Sequence, residues 1–142
     1  MNQATRLIPF VVALVLWASA CHKNATTDTT TATPSVTLTT DTFSGTVPVK
    51  GSDAKNFTVA QTGSVNVTLT AAGPPSTVVM GIGVGTPKDS GCALLPGGST
   101  NTPAGAAVQL AGTVTAGTLC VQVYDVGNQT AAVSYTVTVA HP

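Results

Sequence analysis

The sequence has few charged residues, and the four charged residue types are unequally represented. No Glu occurs among the 142 residues, Arg6 is the only arginine, and Asp, Glu, Lys and Arg together make up 7% of the chain. The formal net charge is zero, so there is no excess of positive charge to attract a nucleic acid or an anionic membrane surface. We therefore expect no nucleic-acid partner.

Histidine is also scarce, which limits catalysis and zinc binding. His22 and His141 are the two histidines, and no cluster of cysteine and histidine offers the ligands that zinc prefers. A Ser–His–Asp site needs its histidine within hydrogen-bond reach of the nucleophile. The tripeptide Asp89-Ser90-Gly91 resembles a serine-protease motif, but the rest of that family's pattern is missing. We expect no catalytic residue, no metal site, no cofactor and no enzyme activity.

Aromatic residues, on which sugar-binding platforms depend, make up 4% of the chain. Trp17, the single tryptophan, lies in the N-terminal apolar segment. Phe43, Phe57 and Tyr135 fall on the apolar faces of predicted strands. Tyr124 falls on a polar face, so it is the aromatic residue that we expect at the surface.

The N-terminus combines a polar start, a short apolar segment and a cysteine behind small residues. Met1–Arg6 is polar, Leu7–Trp17 is apolar apart from a proline, and Ala18-Ser19-Ala20 precedes Cys21. The apolar segment is shorter than the ~20 residues of a transmembrane helix and is typical of a signal peptide. The whole pattern resembles a bacterial lipoprotein signal. Ordinary secretion, with cleavage after Ala20, is the alternative.

The resemblance to lipoprotein signals implies a location and a modification. Residues 1–20 would be removed, and Cys21 would become the lipid-bearing first residue, which anchors the protein to a membrane. In such proteins an aspartate after the cysteine favours retention at the inner membrane. His22 stands there instead, which implies an outer-membrane lipoprotein facing the periplasm or the cell surface.

The cysteine count fits this interpretation. The chain has three cysteines, Cys21, Cys92 and Cys120. Disulfides persist in exported proteins, so we predict a disulfide between Cys92 and Cys120, with two buried free thiols as the alternative. An odd cysteine in an exported chain indicates a reactive or modified thiol, and lipidation of Cys21 accounts for it.

Residues 21–42 are rich in threonine and differ from the rest of the chain. The stretch 24–34 has no large apolar side chain, so it cannot bury enough surface to offset the entropy of ordering it. We predict a flexible tether over 21–42. Residues 35–40, in which Val36 and Leu38 alternate with polar residues, fit either the tether or a first edge strand.

From Phe43 onward, apolar residues alternate with polar ones in short sets separated by turn residues. Val and Thr favour strands, and this period of two is typical of half-buried strands. We predict an all-β fold, an antiparallel β-sandwich of seven or eight strands over residues 43–142, with a long loop at Ser90–Ala106. The predicted inward-facing residues include Phe43, Gly45, Val47, Val49, Phe57, Val59, Val65, Val67, Leu69, Val78, Met80, Ile82, Val84, Val108, Leu110, Leu119, Val121, Val123, Val133, Tyr135, Val137 and Val139.

Three alternate residues of one predicted strand are glycines: Gly81, Gly83 and Gly85. They do not match the dinucleotide-binding fingerprint, which requires a strand, a turn and a helix. Their spacing leaves one face of the strand bare. We predict that another backbone segment or loop approaches this face closely.

The order of these strands resembles the bacterial pre-peptidase C-terminal domain, a β-sandwich that accompanies exported enzymes. The segments that carry the resemblance are Phe43–Val47, Asp53–Val59, Gly63–Leu69, Gly117–Gly127 and Tyr135–Val139. The resemblance implies a jelly-roll-like sandwich that serves as an accessory, stabilising or binding module. The region that matches the acidic, calcium-associated run of some family members has no carboxylate here.

Candidate ligand residues lie near the end of the penultimate strand. Tyr124, Asp125 and Asn128 combine an aromatic ring with oxygen donors. Asp125 and Asn128 could also converge with Asp53 and Asp89 on calcium, although loop Asp and Asn residues usually cap turns.

The function predicted from the sequence is non-enzymatic: a lipid-anchored, exported envelope protein acting as a structural or protein-interaction module. The expected partners are the membrane, through the lipid, and an envelope protein or a glycan. The alternatives are a glycan- or calcium-binding module, or an accessory or inhibitor of a secreted peptidase.

Overall fold

The computed structural model describes residues 36–142. The predicted signal peptide, Cys21 and most of the predicted tether lie outside these residues. The described part of the chain is all β, as predicted, and contains eight strands and no helix. The strands are β1 (Thr39–Val47), β2 (Ser52–Val59), β3 (Gly63–Gly73), β4 (Val79–Lys88), β5 (Gly91–Pro103), β6 (Leu110–Val114), β7 (Gly117–Asp125) and β8 (Val133–His141).

The strands form two antiparallel four-stranded sheets. The first has the order β1-β8-β3-β6 and the second the order β2-β7-β4-β5. Strand β1 pairs with β8, β2 with β7, β3 with β6 and β4 with β5, so the first half of the chain lies along the second half. An eight-stranded double sheet wound in this way is a jelly roll, which confirms the predicted fold class.

The core lies between the two sheets and consists mostly of valine. Alternate residues of β8 and the centre of β3 are buried, because successive side chains of a strand point to opposite faces. The fully buried side chains are mainly those predicted from the alternation: Val47, Val59, Val67, Leu69, Met80, Ile82, Cys120, Val121, Val123, Val133, Val137 and Val139.

Two predicted inward-facing residues are exposed instead. Val49 is 42% exposed and Val108 is 53% exposed. Strand β1 ends at Val47 because Pro48 has no N–H for the ladder, and the chain then turns, with the Gly51 N–H donating to the Pro48 carbonyl at 2.9 Å. Val108 precedes β6, so the alternation that predicted its burial does not extend to it.

The first strand begins four residues before the predicted domain boundary at residue 43. Thr39–Thr42 pair with Thr138–His141 of β8. This places Thr39 and Thr40 in an edge strand, one of the two possibilities that the sequence left open for residues 35–40. Backbone pairing orders a segment whose side chains are largely polar and exposed.

The predicted loop at Ser90–Ala106 is wrong, because Gly91–Pro103 forms the edge strand β5. Proline is tolerated on a sheet edge, because a backbone N–H that faces solvent makes no hydrogen bond to a neighbouring strand. The register with β4 shifts between Ser99 and Leu94, so the Pro96-Gly97-Gly98 segment lies within an irregularity of the strand.

Candidate functional site

The glycine row of β4 is covered closely, as predicted. A Cβ atom at Gly81 would overlap the ring of Tyr124, and one at Gly85 would overlap the backbone of Ala93. At Gly83 an added Cβ would lie 2.7 Å from a terminal carbon of Leu94. The absence of side chains at these three positions therefore lets the Tyr124 ring and residues Ala93 and Leu94 of β5 lie close to the β4 backbone.

A disulfide joins Cys92 on β5 to Cys120 on β7, with their Cα atoms 5.8 Å apart. Strand β4 lies between these two strands in the sheet, and Gly85 is the β4 residue in register with Cys120. An added Cβ at Gly85 would overlap the backbone of Ala93, the residue after Cys92. The structure thus contains the predicted pair.

Tyr124 is half-buried on the outer face of the second sheet. It lies in register with Ser52 of β2 on one side and with Gly81 of β4 on the other. Gln122, two residues earlier on β7, shares this face because side chains alternate along a strand. The prediction that Tyr124 is at the surface is met in part, since one side of its ring packs over Gly81.

Asp125 is the cap of the β7–β8 loop. Its Oδ2 accepts the Lys50 N–H at 2.7 Å, and its Oδ1 accepts the Gly127 N–H at 2.8 Å. Oδ1 also accepts the Asn128 and Gln129 N–H groups at 3.2 and 3.3 Å. These backbone donors, the Lys50 N–H foremost, lower the pKa of Asp125. This geometry is that of turn capping, which is the usual role of an aspartate in a loop.

Asn128 also holds the loop in place. Its Nδ2 donates to the Val79 carbonyl at 3.1 Å, which joins the β7–β8 loop to the start of β4. Tyr124 and Asp125 are consecutive on β7 and therefore face opposite sides of the sheet. The structure brings Asp125 together with Asn128, whose N–H it accepts, and places the Tyr124 ring on the face of the sheet opposite to Asp125.

Asp53 and Asp89, the other two acids considered as calcium ligands, lie in different elements of the fold. Asp53 on β2 accepts the Tyr135 hydroxyl at 2.9 Å and lies 3.1 Å from the Lys55 ammonium, whereas Asp89 is in the β4–β5 turn with φ 51°. Burial, together with the Asp53 carboxylate, raises the pKa of Tyr135. Within residues 36–142 no three His, Cys, Asp or Glu side chains cluster as they would around a metal ion.

His141 is a buried side chain at the end of β8. Its Nε2 lies 3.1 Å from Oδ2 of Asp41 on β1, and its ring centroid lies 5.2 Å from that of Phe57. These contacts tie β1 to β8 and the first sheet to the second. No serine nucleophile is hydrogen-bonded to His141 in the described part of the chain.

Sequence reasoning missed Gln129, which lines a cavity at one end of the sandwich. The cavity has a volume of about 230 Å³ and lies between the β3–β4 loop, at Pro74–Val78, and the β7–β8 loop, at Asn128–Ala131. Gln129 is only 8% exposed, and its Nε2 lies 3.0 Å from the sulfur of Met80. Its Oε1 has no hydrogen-bond partner among residues 36–142. No sequence signal marks a polar residue of a polar loop as buried.

Another cavity, of about 220 Å³, lies between the two sheets near β5 and β6. Val65 and Val67 of β3, Val84 of β4 and Leu110 of β6 line it, and the irregular segment of β5 forms a further wall. Its wall combines these apolar side chains with Thr113 and with the glycines Gly97, Gly98 and Gly112.

The described residues include no helix of the length and apolar character required to cross a bilayer. Compared with models of known protein families and with curated proteins, the chain matches none.

Proposed function

We propose that the chain is a non-enzymatic, lipid-anchored protein of a bacterial envelope, in which the jelly roll is a protein-interaction module. The observation that carries the anchor is the cysteine pairing. Cys92 and Cys120 form a disulfide, which leaves Cys21 as the one cysteine outside it, directly behind Ala18-Ser19-Ala20. That arrangement supports lipid attachment at Cys21.

The interaction role is supported by the edges of the two sheets. Strands β1 and β6 end the first sheet, and β2 and β5 end the second. Outward-facing backbone groups of such edge strands can pair with an added strand from a partner. The exposed apolar side chains of Leu38, Leu94 and Val108 add surface for such a contact near β1, β5 and β6.

Among the alternatives, calcium binding draws least support, because both carboxylate oxygens of Asp125 accept backbone N–H groups and Asp53 is bonded to Tyr135. The accessory or inhibitory role beside a secreted peptidase stays a prediction from the family resemblance. The outer-membrane location likewise stays a prediction, based on His22.

Metabolic labelling tests the anchor. Cells expressing the wild-type chain are fed an alkyne analogue of palmitate, fractionated, and compared with cells expressing Cys21→Ala. We expect the wild-type protein to carry the label and sediment with membranes, and Cys21→Ala to lose both properties. The matched control is Cys92→Ala/Cys120→Ala, which should keep the label. Equal labelling and sedimentation of wild type and Cys21→Ala would refute the anchor.

A further inference from the structure

We propose that the chain associates head to tail with further copies of itself. Residues 36–38 of one copy add a strand to the free edge of β6 in the next copy, and the Leu38 side chain enters the cavity beside Gly112. The inference deepens the proposed protein-interaction role and rests on it, but it does not depend on the lipid anchor.

The cavity near β5 and β6 is open at the centre of β6, where the strand has no side chain. Gly112 is in register with Val65, which is buried in the core, and residues directly opposite each other share a face of the sheet. An added Cβ at Gly112 would meet nothing within 4 Å, and the residue is exposed. A side chain from outside can therefore reach this part of the core.

The size and the walls of this cavity suit one aliphatic side chain. Val65, Val67, Val84 and Leu110 line it, and none of its lining residues is ionisable. A cavity of about 150 Å³ in another protein accommodates benzene. The present cavity, at about 220 Å³, therefore has room for a leucine side chain, which would be removed from water on entering it.

Strand β6 is the edge strand least protected against pairing. Charged residues and prolines discourage the addition of a strand at a sheet edge. Strand β1 carries Asp41, β2 carries Asp53 and Lys55, and β5 contains two prolines. Strand β6 has no charge and no proline, and its register with β3 is regular. An extended segment can add to such an edge through backbone hydrogen bonds.

Residues 36–38 have the features that the cavity and β6 require. They precede β1 and belong to no strand, so their backbone groups are free to pair. Val36 and Leu38 are both exposed, and in an extended segment they lie on the same face. Adding this segment to β6 would bury two apolar side chains that are in contact with water within one copy.

The segment cannot fill the cavity of its own copy. Strands β1 and β6 are at opposite edges of the first sheet, with β8 and β3 between them, which separates them by about 14 Å. Thr39 is paired with His141, and one residue extends the chain by at most about 3.6 Å. Leu38 must therefore enter the cavity of another copy.

A head-to-tail arrangement fits these features better than a symmetric one. Symmetric pairing of two β6 strands about Gly112 would place glycine opposite glycine and leave both cavities empty. In the head-to-tail contact, each added copy brings a further cavity and a further free segment. Such an interface gives rings or open chains of copies.

Cysteine cross-linking of the full chain in cells tests the contact. The double variant Leu38→Cys/Gly112→Cys places one thiol on each side of the proposed interface, and the two are too far apart within one copy to form a disulfide. After mild oxidation we expect a ladder of dimers, trimers and larger species on a nonreducing gel. Each single variant should show no more multimer than the wild type.

The matched control is Val49→Cys/Gly112→Cys, in which the first cysteine replaces another exposed apolar residue. We expect no ladder from it. A ladder of equal strength in this control, or none in the Leu38→Cys/Gly112→Cys variant, would overturn the proposal. Dimers of the Gly112→Cys single variant would overturn it in favour of β6–β6 pairing. Cross-linking of Gly112→Cys to a different envelope protein would also overturn it but would leave the protein-interaction role intact.

Sedimentation velocity of the purified full chain in detergent provides a test without added cysteines. We expect Leu38→Ala to raise the dissociation constant for self-association at least about tenfold, because most of the buried side chain is lost. Gly112→Leu, which fills the cavity from within β6, should abolish the association. Val49→Ala should associate like the wild type. Equal association of the wild type and Leu38→Ala would overturn the proposal.

Discussion

Tyr135 and Asp125 are the side chains whose ionisation is most clearly linked to folding. Tyr135, buried on β8, donates its hydroxyl to Asp53 on β2 and so joins the two sheets. Asp125 joins the β1–β2 turn, through Lys50, to the β7–β8 loop, through Gly127. One group is stabilised in its protonated form and the other in its ionised form, so their effects on stability have opposite signs with pH.

The raised pKa of Tyr135 predicts a loss of stability in alkali. A group whose pKa is higher in the folded than in the unfolded state stabilises the fold below its unfolded pKa, near 10, and this contribution declines as pH rises beyond that value. Urea unfolding from pH 7 to 11 should show this decline in the wild type and a flatter profile in Tyr135→Phe. At pH 7 we expect Tyr135→Phe to be about 1 kcal/mol less stable. Parallel profiles above pH 10 would contradict the link.

The lowered pKa of Asp125 predicts a loss of stability in acid. The unfolded state binds a proton near pH 4, so the stabilisation from ionised Asp125 is present above that pH and declines below it. We expect Asp125→Asn to flatten the acid limb of the stability profile and to speed hydrogen exchange at the Gly127 and Gln129 amides by roughly tenfold. Asp89→Asn, in the exposed β4–β5 turn, is the matched control and should leave those amides unchanged.

At the residue scale, the sequence predicts roles that depend on local spacing and misses those that depend on distant contact. Asp125 followed by Gly127 and Asn128 indicates a capped turn, because the acceptor and its donors are neighbours. Burial of Gln129 depends on the β7–β8 loop meeting Met80, 49 residues away. No local sequence pattern predicts this contact between Gln129 and Met80.

At the scale of elements, β4 organises the second sheet. Its inward residues, including Met80 and Ile82, are fully buried, and its outward positions are glycines that lie under Tyr124 and β5. The spacing of Gly81, Gly83 and Gly85 predicted a close approach correctly. The alternation of residues in β4 did not predict that the approaching segment, Gly91–Pro103, is a strand. Edge strand β5 lacks a regular apolar period, and its Gly and Pro residues indicate a loop when read locally.

Substitution of Gly85 tests this close approach. A Cβ atom there would overlap the Ala93 backbone, so Gly85→Ala must push β5 away from β4. We expect a loss of about 2–3 kcal/mol in the free energy of unfolding, in the range of an overpacked core. Gly112→Ala on β6 is the control, because an added Cβ there meets nothing within 4 Å. Equal stability of both variants would rule out the tight contact.

The disulfide fixes β5 to β7 and should contribute to stability through the unfolded state. Its cysteines are 28 positions apart, and closing a loop of that length stabilises a fold by about 3–4 kcal/mol in the chain-entropy model. The double variant Cys92→Ser/Cys120→Ser should lose that amount in urea unfolding without reductant. Added reductant should lower the stability of the wild type to a similar value and leave the variant unchanged; insensitivity of the wild type would contradict this role.

At the scale of the whole molecule, the jelly roll brings the two ends of the described chain together. Thr39 at the start of β1 pairs with His141 at the end of β8, and Asp41 reinforces this pairing through His141. Because such pairings join residues that are distant in sequence, the sandwich gains its stability only when the whole topology is complete. The alternation predicted the two-layer class, whereas the order of strands follows from long-range pairing that a local period does not specify.

We propose that this sandwich is held at a membrane through Cys21, with residues 22–38 between the lipid and the first strand. The most direct test is mass spectrometry of the N-terminal peptide of the mature protein isolated from membranes. We expect a peptide that begins at Cys21 and carries the added mass of fatty-acyl chains on that residue. A mature chain whose Cys21 is an unmodified thiol, or one that begins at another residue, would contradict it.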